Sequence, residues 1–354
     1  MRSFTDRLLT YPRQKPSVSP WLLLCFAVIC LSAWGIAEHY YQRFSHPKYI
    51  EMLSAARTVQ SSMRVVGARK EELGLLQPPA VDPNATGLIG PELSGIMTTY
   101  GHLPSKRTVT NPDLAALFVR LISDLAPSEN QRVVILTSGS FVGANVAAIA
   151  AAEALQLTPV VISSLGASMW GATDEDFTWL DIEASLYDEG VIQVRSKFAV
   201  LGGGDGVGIG MSGKGRIALR DSAERNEIPL LAPETFEELV AGAKARLFEA
   251  AEDMNDVALL MNIGGSQLGL GLCENVGDLV SGRIIAEPFT CVNGTPGLIS
   301  EMAGLGVPML HILNIRQLAL EYGLPFDPAP LPSPGNNPRV YRSGPSRLNS
   351  ALSD

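Results

Sequence analysis

The sequence predicts an α/β fold: a Rossmann-like, mostly parallel sheet with flanking helices, carried on an N-terminal transmembrane helix. Three observations predict it. From Asp113 onward, apolar runs of strand length alternate with patterns of helical period. Three of those runs end in small residues, Ser138-Gly139-Ser140, Gly202-Gly203-Gly204 and Gly264-Gly265-Ser266. One uninterrupted apolar run, Trp21 to Ala37, stands near the start.

That first run holds seventeen residues without a charge, at the short end of membrane-spanning length. Arg2, Arg7, Arg13 and Lys15 precede it, with Asp6 the one acid among them. The basic excess predicts a cytoplasmic N-terminus and a main domain outside the cytoplasm, in a single-pass protein of a cytoplasmic membrane. Gly35-Ile36-Ala37 offers a competing signal-peptide cleavage site, but Trp34 and Ile36 fit one poorly. The expected organisation is a basic tail over 1–20, an anchor over 21–38 and a stalk helix over 39–77. An α/β domain follows over 78–324, and an irregular tail rich in Pro, Ser and Asn over 325–354.

The stalk is expected because Ile50, Leu53, Ala56, Val59, Met63 and Val66 recur at three- and four-residue steps. It would pack on the main domain or form a dimer contact. Pro78 to Pro112 is rich in Pro, Gly, Asn and Thr and reads as a long connection with functional potential. Asn111-Pro112-Asp113 starts a helix through Leu125. Arg132 to Thr137 is a buried strand, Ala144 to Leu155 an alanine-rich helix and Thr158 to Ser163 the next strand, which together make one βαβ unit. Helices follow over Asp176–Glu189, Pro233–Ala251, Thr295–Leu305 and Ile315–Tyr322. Strands follow over Lys197–Leu201, Asp256–Ile263 and Val307–Leu313.

Composition narrows the function. Hydrophobic residues make up 46% of the chain and charged residues 18%, which excludes a disordered chain. The net charge of −9 and the lack of a basic stripe argue against nucleic-acid binding. The four cysteines and four histidines form no cluster with zinc spacing, so no metal is expected. Cys273 and Cys291 suit a disulfide in an oxidising compartment equally as well as two buried thiols.

Ligands of open parallel sheets bind beyond the carboxyl ends of the strands, so the three small-residue ends mark a candidate crevice. Ser140 sits where a hydrolase would place its nucleophile, but the G-x-S-x-G pattern is not met. Ser138 is the other serine at that end, and His102, in the long connection, is the remaining base once His39, His46 and His311 are set aside. Gly208 to Lys214 has phosphate-loop spacing up to its lysine, yet Gly215 stands where Ser or Thr is required. Gly204, Gly206 and Gly208 give no dinucleotide fingerprint either. No cofactor is expected. Ser164, Ser168 and Trp170 lie on one loop and suit a binding wall. Lys106 and Arg107 are the basic pair nearest to His102 and suit an acidic ligand. Asn145 and Gly202, Gly203 and Gly204 complete the candidate crevice.

Several segments are distinctive. They are Thr99 to Asp113, Ser138-Gly139-Ser140-Phe141, Ser163 to Trp170, Phe177-Thr178-Trp179-Leu180-Asp181, and His311-Ile312-Leu313-Asn314-Ile315-Arg316. With the single N-terminal apolar run, the chain resembles the bacterial poly-γ-glutamate system protein family over nearly all of its length except the tail. The resemblance implies a membrane-anchored accessory component of poly-γ-glutamate synthesis, export or processing. Its expected partners are the anionic polymer and the membrane subunits of its synthase. It supplies no catalytic residue. Two other readings stand beside it: a polymer-processing hydrolase or transferase using a strand-end serine, and a scaffold without a ligand whose stalk recruits synthase subunits.

Overall fold

The computed structural model describes residues 19–42 and 45–342. The chain divides into two compact units, Met1–Ser45 and His46–Asp354. In the first, Pro20–Gln42 forms helix α1, with Trp21 to Ile36 exposed. Among the described residues, no helix is long and apolar enough to cross a membrane. The basic residues Arg2 to Lys15, on which the expected orientation rests, lie outside the described residues, as does the tail beyond Arg342.

The second unit opens with α2 (Tyr49–Leu73). It was expected as a stalk packing on the main domain, and it is one of that domain's core helices. Met52, Ala55, Ala56, Val59, Ser62, Val66 and Lys70 are buried, whereas Ile50 is exposed. At its far end Lys70 Nζ pairs with Asp174 Oδ2 at 2.9 Å and donates to the Ile89 carbonyl at 3.1 Å. A buried lysine needs such partners, because an unpaired charge away from water is costly. The pair pins the following connection to the loop that carries Asp174.

That connection is not irregular throughout. It contains β1 (Met97–Thr99) and α3 (Leu103–Thr108) before α4 begins (Asp113–Ser123). Asn111 Oδ1 accepts the Asp113 N–H at 3.0 Å and so fixes the entry to α4. Next come β2 (Arg132–Ser138), α5 (Val142–Ala154), β3 (Thr158–Ser164) and the two-residue β4 (Ala167–Ser168). β1 and β4 pair in parallel as a small separate sheet.

Then follow α6 (Trp179–Asp188), β5 (Phe198–Val200), α7 (Gly213–Arg225), β6 (Leu230–Leu231) and α8 (Phe236–Ala251). Asp181 Oδ2 accepts from the Thr178 N–H at 2.7 Å, which starts α6 three residues later than the apolar period alone suggests. β7 (Val257–Ile263), α9 (Gln267–Leu270), β8 (Ile284–Ile285), α10 (Leu298–Ala303), β9 (Met309–Ile312), α11 (Ile315–Tyr322) and α12 (Pro338–Tyr341) complete the chain.

The main sheet has seven strands in the order β6-β5-β3-β2-β7-β9-β8. All neighbours are parallel except the edge pair β8–β9. This is an α/β fold with a mostly parallel sheet between two helical layers. Strand alternation shows the two layers: Val133 and Ile135 join a core with α2, α4 and α5, and Val134 and Leu136 join one with α8 and α10. α5 is buried almost all round, and its alanines let α2 and α4 approach closely. β2 is central. The chain runs from it to β3 on one side and later returns as β7 on the other, so the winding reverses between β2 and β7. Beyond the carboxyl ends of such a pair, ligands are held in doubly wound folds.

Candidate functional site

A cleft of about 490 Å³ opens at that point of reversal. Ser138 and Ser140 come to it from the end of β2, Ser164 and Ser168 from β3 and β4, and Gly203 and Gly204 from the loop after β5. Gly265, Ser266 and Gln267 come from the end of β7. The long connection closes the remaining side through Thr98 to His102, Ser105 and Lys106. The pairing of β1 with β4 explains how. It lays the connection beside the end of β3, and α3 then carries Lys106 inward.

Glycine is required at the floor. Gly264 has φ +95°, and a Cβ there would lie 2.3 Å from Ser138 Oγ. Ser138 is 3% exposed, and among the described residues its hydroxyl has no hydrogen-bond partner. Asn145 lies beneath, donating from Nδ2 to the Ser138 carbonyl at 2.8 Å. It shapes the strand end and does not face the cleft. Ser140 Oγ accepts the Ser168 N–H at 3.0 Å, which ties β4 to the end of β2.

Among the described residues, Lys106 is the one lysine or arginine of the lining. It is 2% exposed. Its Nζ donates to the Ser140 carbonyl and lies 2.6 Å from Ser168 Oγ, with the Phe141 ring centroid 4.6 Å away. Among the described residues no carboxylate lines the cleft, and the partners of Lys106 are a carbonyl, a hydroxyl and an aromatic ring. Burial lowers the Lys106 pKa to about 7. The first turn of α5 starts two residues after Ser140, and Phe141, which precedes it, lines the cleft.

Most of the other candidate residues fall elsewhere. Arg107 turns away from the cleft, holding Asp327 through Nε to Oδ1 at 2.6 Å and Nη2 to Oδ2 at 2.7 Å. Neighbours on a short helix diverge by about 100°, so Lys106 and Arg107 cannot both face one site. Trp170 has φ +60°, and its backbone is bonded to Pro91 and Gly90; its ring does not line the cleft. Gly202 lies beneath Ser164. His102 does line the cleft, with Nδ1 3.0 Å from Ser105 Oγ, and has no bond to Ser138 or Ser140. Lys214 is exposed in the first turn of α7, away from the cleft. His311 is buried in β9, its Nδ1 2.9 Å from Asn262 Nδ2, and burial lowers its pKa to about 4.

No family model, curated protein or solved structure matches this chain. The site therefore has to be read from its own chemistry. A second groove of about 740 Å³ runs between α2 and α6, lined by Arg64, Arg69, Asp181 and Arg225. It lies on the outer faces of helices rather than at strand ends, and its charges are largely paired with each other, as in Arg225 with Asp181 at 2.6 Å. Among the described residues no group of acids, histidines and cysteines is arranged to hold a metal.

Proposed function

We propose that this chain is a membrane-anchored accessory component of poly-γ-glutamate synthesis or export, and that its cleft binds the polymer. The carrying observation is a cleft at the sheet's reversal point that contains a buried lysine, many hydroxyls and no carboxylate. Poly-γ-glutamate presents one free carboxylate per residue. A protonated Lys106 suits that group, and the serine hydroxyls suit the amides between carboxylates. The net charge of −9 opposes any unspecific hold on a polyanion, so recognition falls to this local lining. The motif resemblance supports the same substrate.

The anchor and the extracytoplasmic placement belong to the proposal too. They rest on the apolar run of α1, the basic residues before it and the Cys273–Cys291 disulfide, a bond that persists in oxidising compartments. Carbonate extraction of membranes tests the anchor, and release of the protein into the soluble fraction would remove it.

Polymer binding is tested by titrating the full-length protein in detergent with poly-γ-glutamate at low salt. Binding that weakens as salt is raised is expected, and so is its loss in Lys106→Met. A full-length, folded preparation that binds no polymer at low salt overturns the reading. The scaffold reading finds less support, because much of the apolar face of α2 is already buried against α4, α5 and α6.

A further inference from the structure

We infer that Ser168 and Lys106 form a nucleophile–base pair that opens amide-linked acyl groups at this cleft, with the γ-glutamyl amide as substrate class. This deepens the polymer-binding reading and rests on it for the substrate. The strand-end serines first considered do not have the geometry. Ser140 Oγ is occupied by the Ser168 N–H, and Ser138 Oγ is buried without a base. Ser168 differs from both. It lines the cleft, and its Oγ lies 2.6 Å from Lys106 Nζ, within reach of direct proton transfer.

The surroundings of Lys106 suit a base. Its neighbours are a carbonyl, a hydroxyl and an aromatic face, and none is an anion. Burial brings its pKa to about 7, so the neutral amine is well populated near neutrality. A neutral amine has two N–H groups and one lone pair. The Ser140 carbonyl takes one N–H, and the lone pair is left for the Ser168 hydroxyl.

The step balances without a co-reactant other than water. The Ser168 hydroxyl proton passes to Lys106 Nζ as Oγ bonds the amide carbon. The carbon–nitrogen bond then breaks, and the Lys106 ammonium returns the proton to the departing amine. Water attacks the resulting Ser168 ester, giving its proton to Lys106. The ester C–O bond breaks, the acid leaves, and the proton returns to Ser168 Oγ.

The test uses full-length protein with γ-glutamyl-p-nitroanilide and with poly-γ-glutamate. Anilide release, polymer length and polymer binding are followed on the same preparation. Expected are an acyl adduct on Ser168 by peptide mass spectrometry and a rate that rises with pH to a plateau above about 7. Ser168→Ala should abolish the adduct and anilide release in a protein that stays folded. Lys106→Met should slow release by about 10²- to 10⁴-fold. An adduct on another residue overturns the pair. So does a preparation that binds the polymer yet neither shortens it nor releases anilide. If no polymer binds, the substrate class falls with the reading above, and adduct formation from the anilide alone decides the pair.

Discussion

The Tyr341 hydroxyl donates to Asp113 Oδ1 at 2.8 Å, across 228 residues of sequence. Asp113 stands at the first position of α4 and is fully buried. Tyr341 ends α12 and is buried in turn, its ring edge-on to Tyr49 of α2 at 5.7 Å. The segment after Pro325, expected to be irregular, thus closes over α2 and α4 before the described chain ends.

Burial raises the Asp113 carboxyl to about 6 in spite of the Tyr341 donor. An acid whose pKa is raised by folding costs nothing below its unfolded value near 3.8. The cost grows as pH rises and is complete above about 6. Tyr341→Phe removes the donor from the ionised form. Its loss of stability should be about 1.5–3 kcal/mol at high pH and about 0.5–1.5 kcal/mol at low pH. Urea unfolding on either side of that window checks this, and an equal loss on both sides refutes it.

Lys106 provides the opposite case. Folding lowers its pKa from 10.5 to about 7. Between those values the unfolded chain binds a proton that the folded chain lacks. Stability therefore rises with pH there, by up to about 1.4 kcal/mol per pH unit. Lys106→Met keeps the stem and removes the titration. The variant should melt above the parent near pH 7, and the gap should close as pH approaches the unfolded value. A gap that stays constant with pH would show that Lys106 carries the same charge in both states.

How far the sequence could be read differs between the sheet and the site. The long strands β2, β3 and β7 announce themselves as apolar runs, because both of their faces are covered. The short strands do not. β1, β4, β6 and β8 have two or three residues, too few for any period to show. That hides how the site is built, since it is the β1–β4 pairing that brings α3 and Lys106 to the strand ends. α7 was hidden differently: its first turn reads Gly-Lys-Gly, so it looked like the end of a glycine loop. Ser168 was legible as part of a binding wall, but its pairing with Lys106, across 62 residues, was not. Arg107 looked equivalent to Lys106 because sequence adjacency hides which way each side chain leaves the helix.

Arg107 should accordingly behave as a structural residue. Its bidentate pair with Asp327 holds the segment after α11 onto α3, and Asp327 N–H donates to Thr108 Oγ1 at 2.8 Å in the same contact. Both charged side chains are partly exposed. Arg107→Ala should cost about 1 kcal/mol in urea unfolding and leave polymer binding within about twofold. A loss of binding as large as that of Lys106→Met, in a protein still folded, would return Arg107 to the site.

The Cys273–Cys291 disulfide offers a test that joins stability to compartment. It closes a loop with a sequence separation of 18 between α9 and α10. Cross-linking a loop of that size restrains the unfolded chain and stabilises by about 3 kcal/mol. Replacing both cysteines by serine should lower stability by about that amount and leave the sheet intact by circular dichroism. The two remaining cysteines, Cys25 and Cys30, are free. Protein isolated from cells with its thiols blocked at lysis should therefore carry two blocking groups before reduction, and two new thiols should appear on reduction. Four groups at lysis would mean that the domain resides in a reducing compartment, and the extracytoplasmic placement would fail with it.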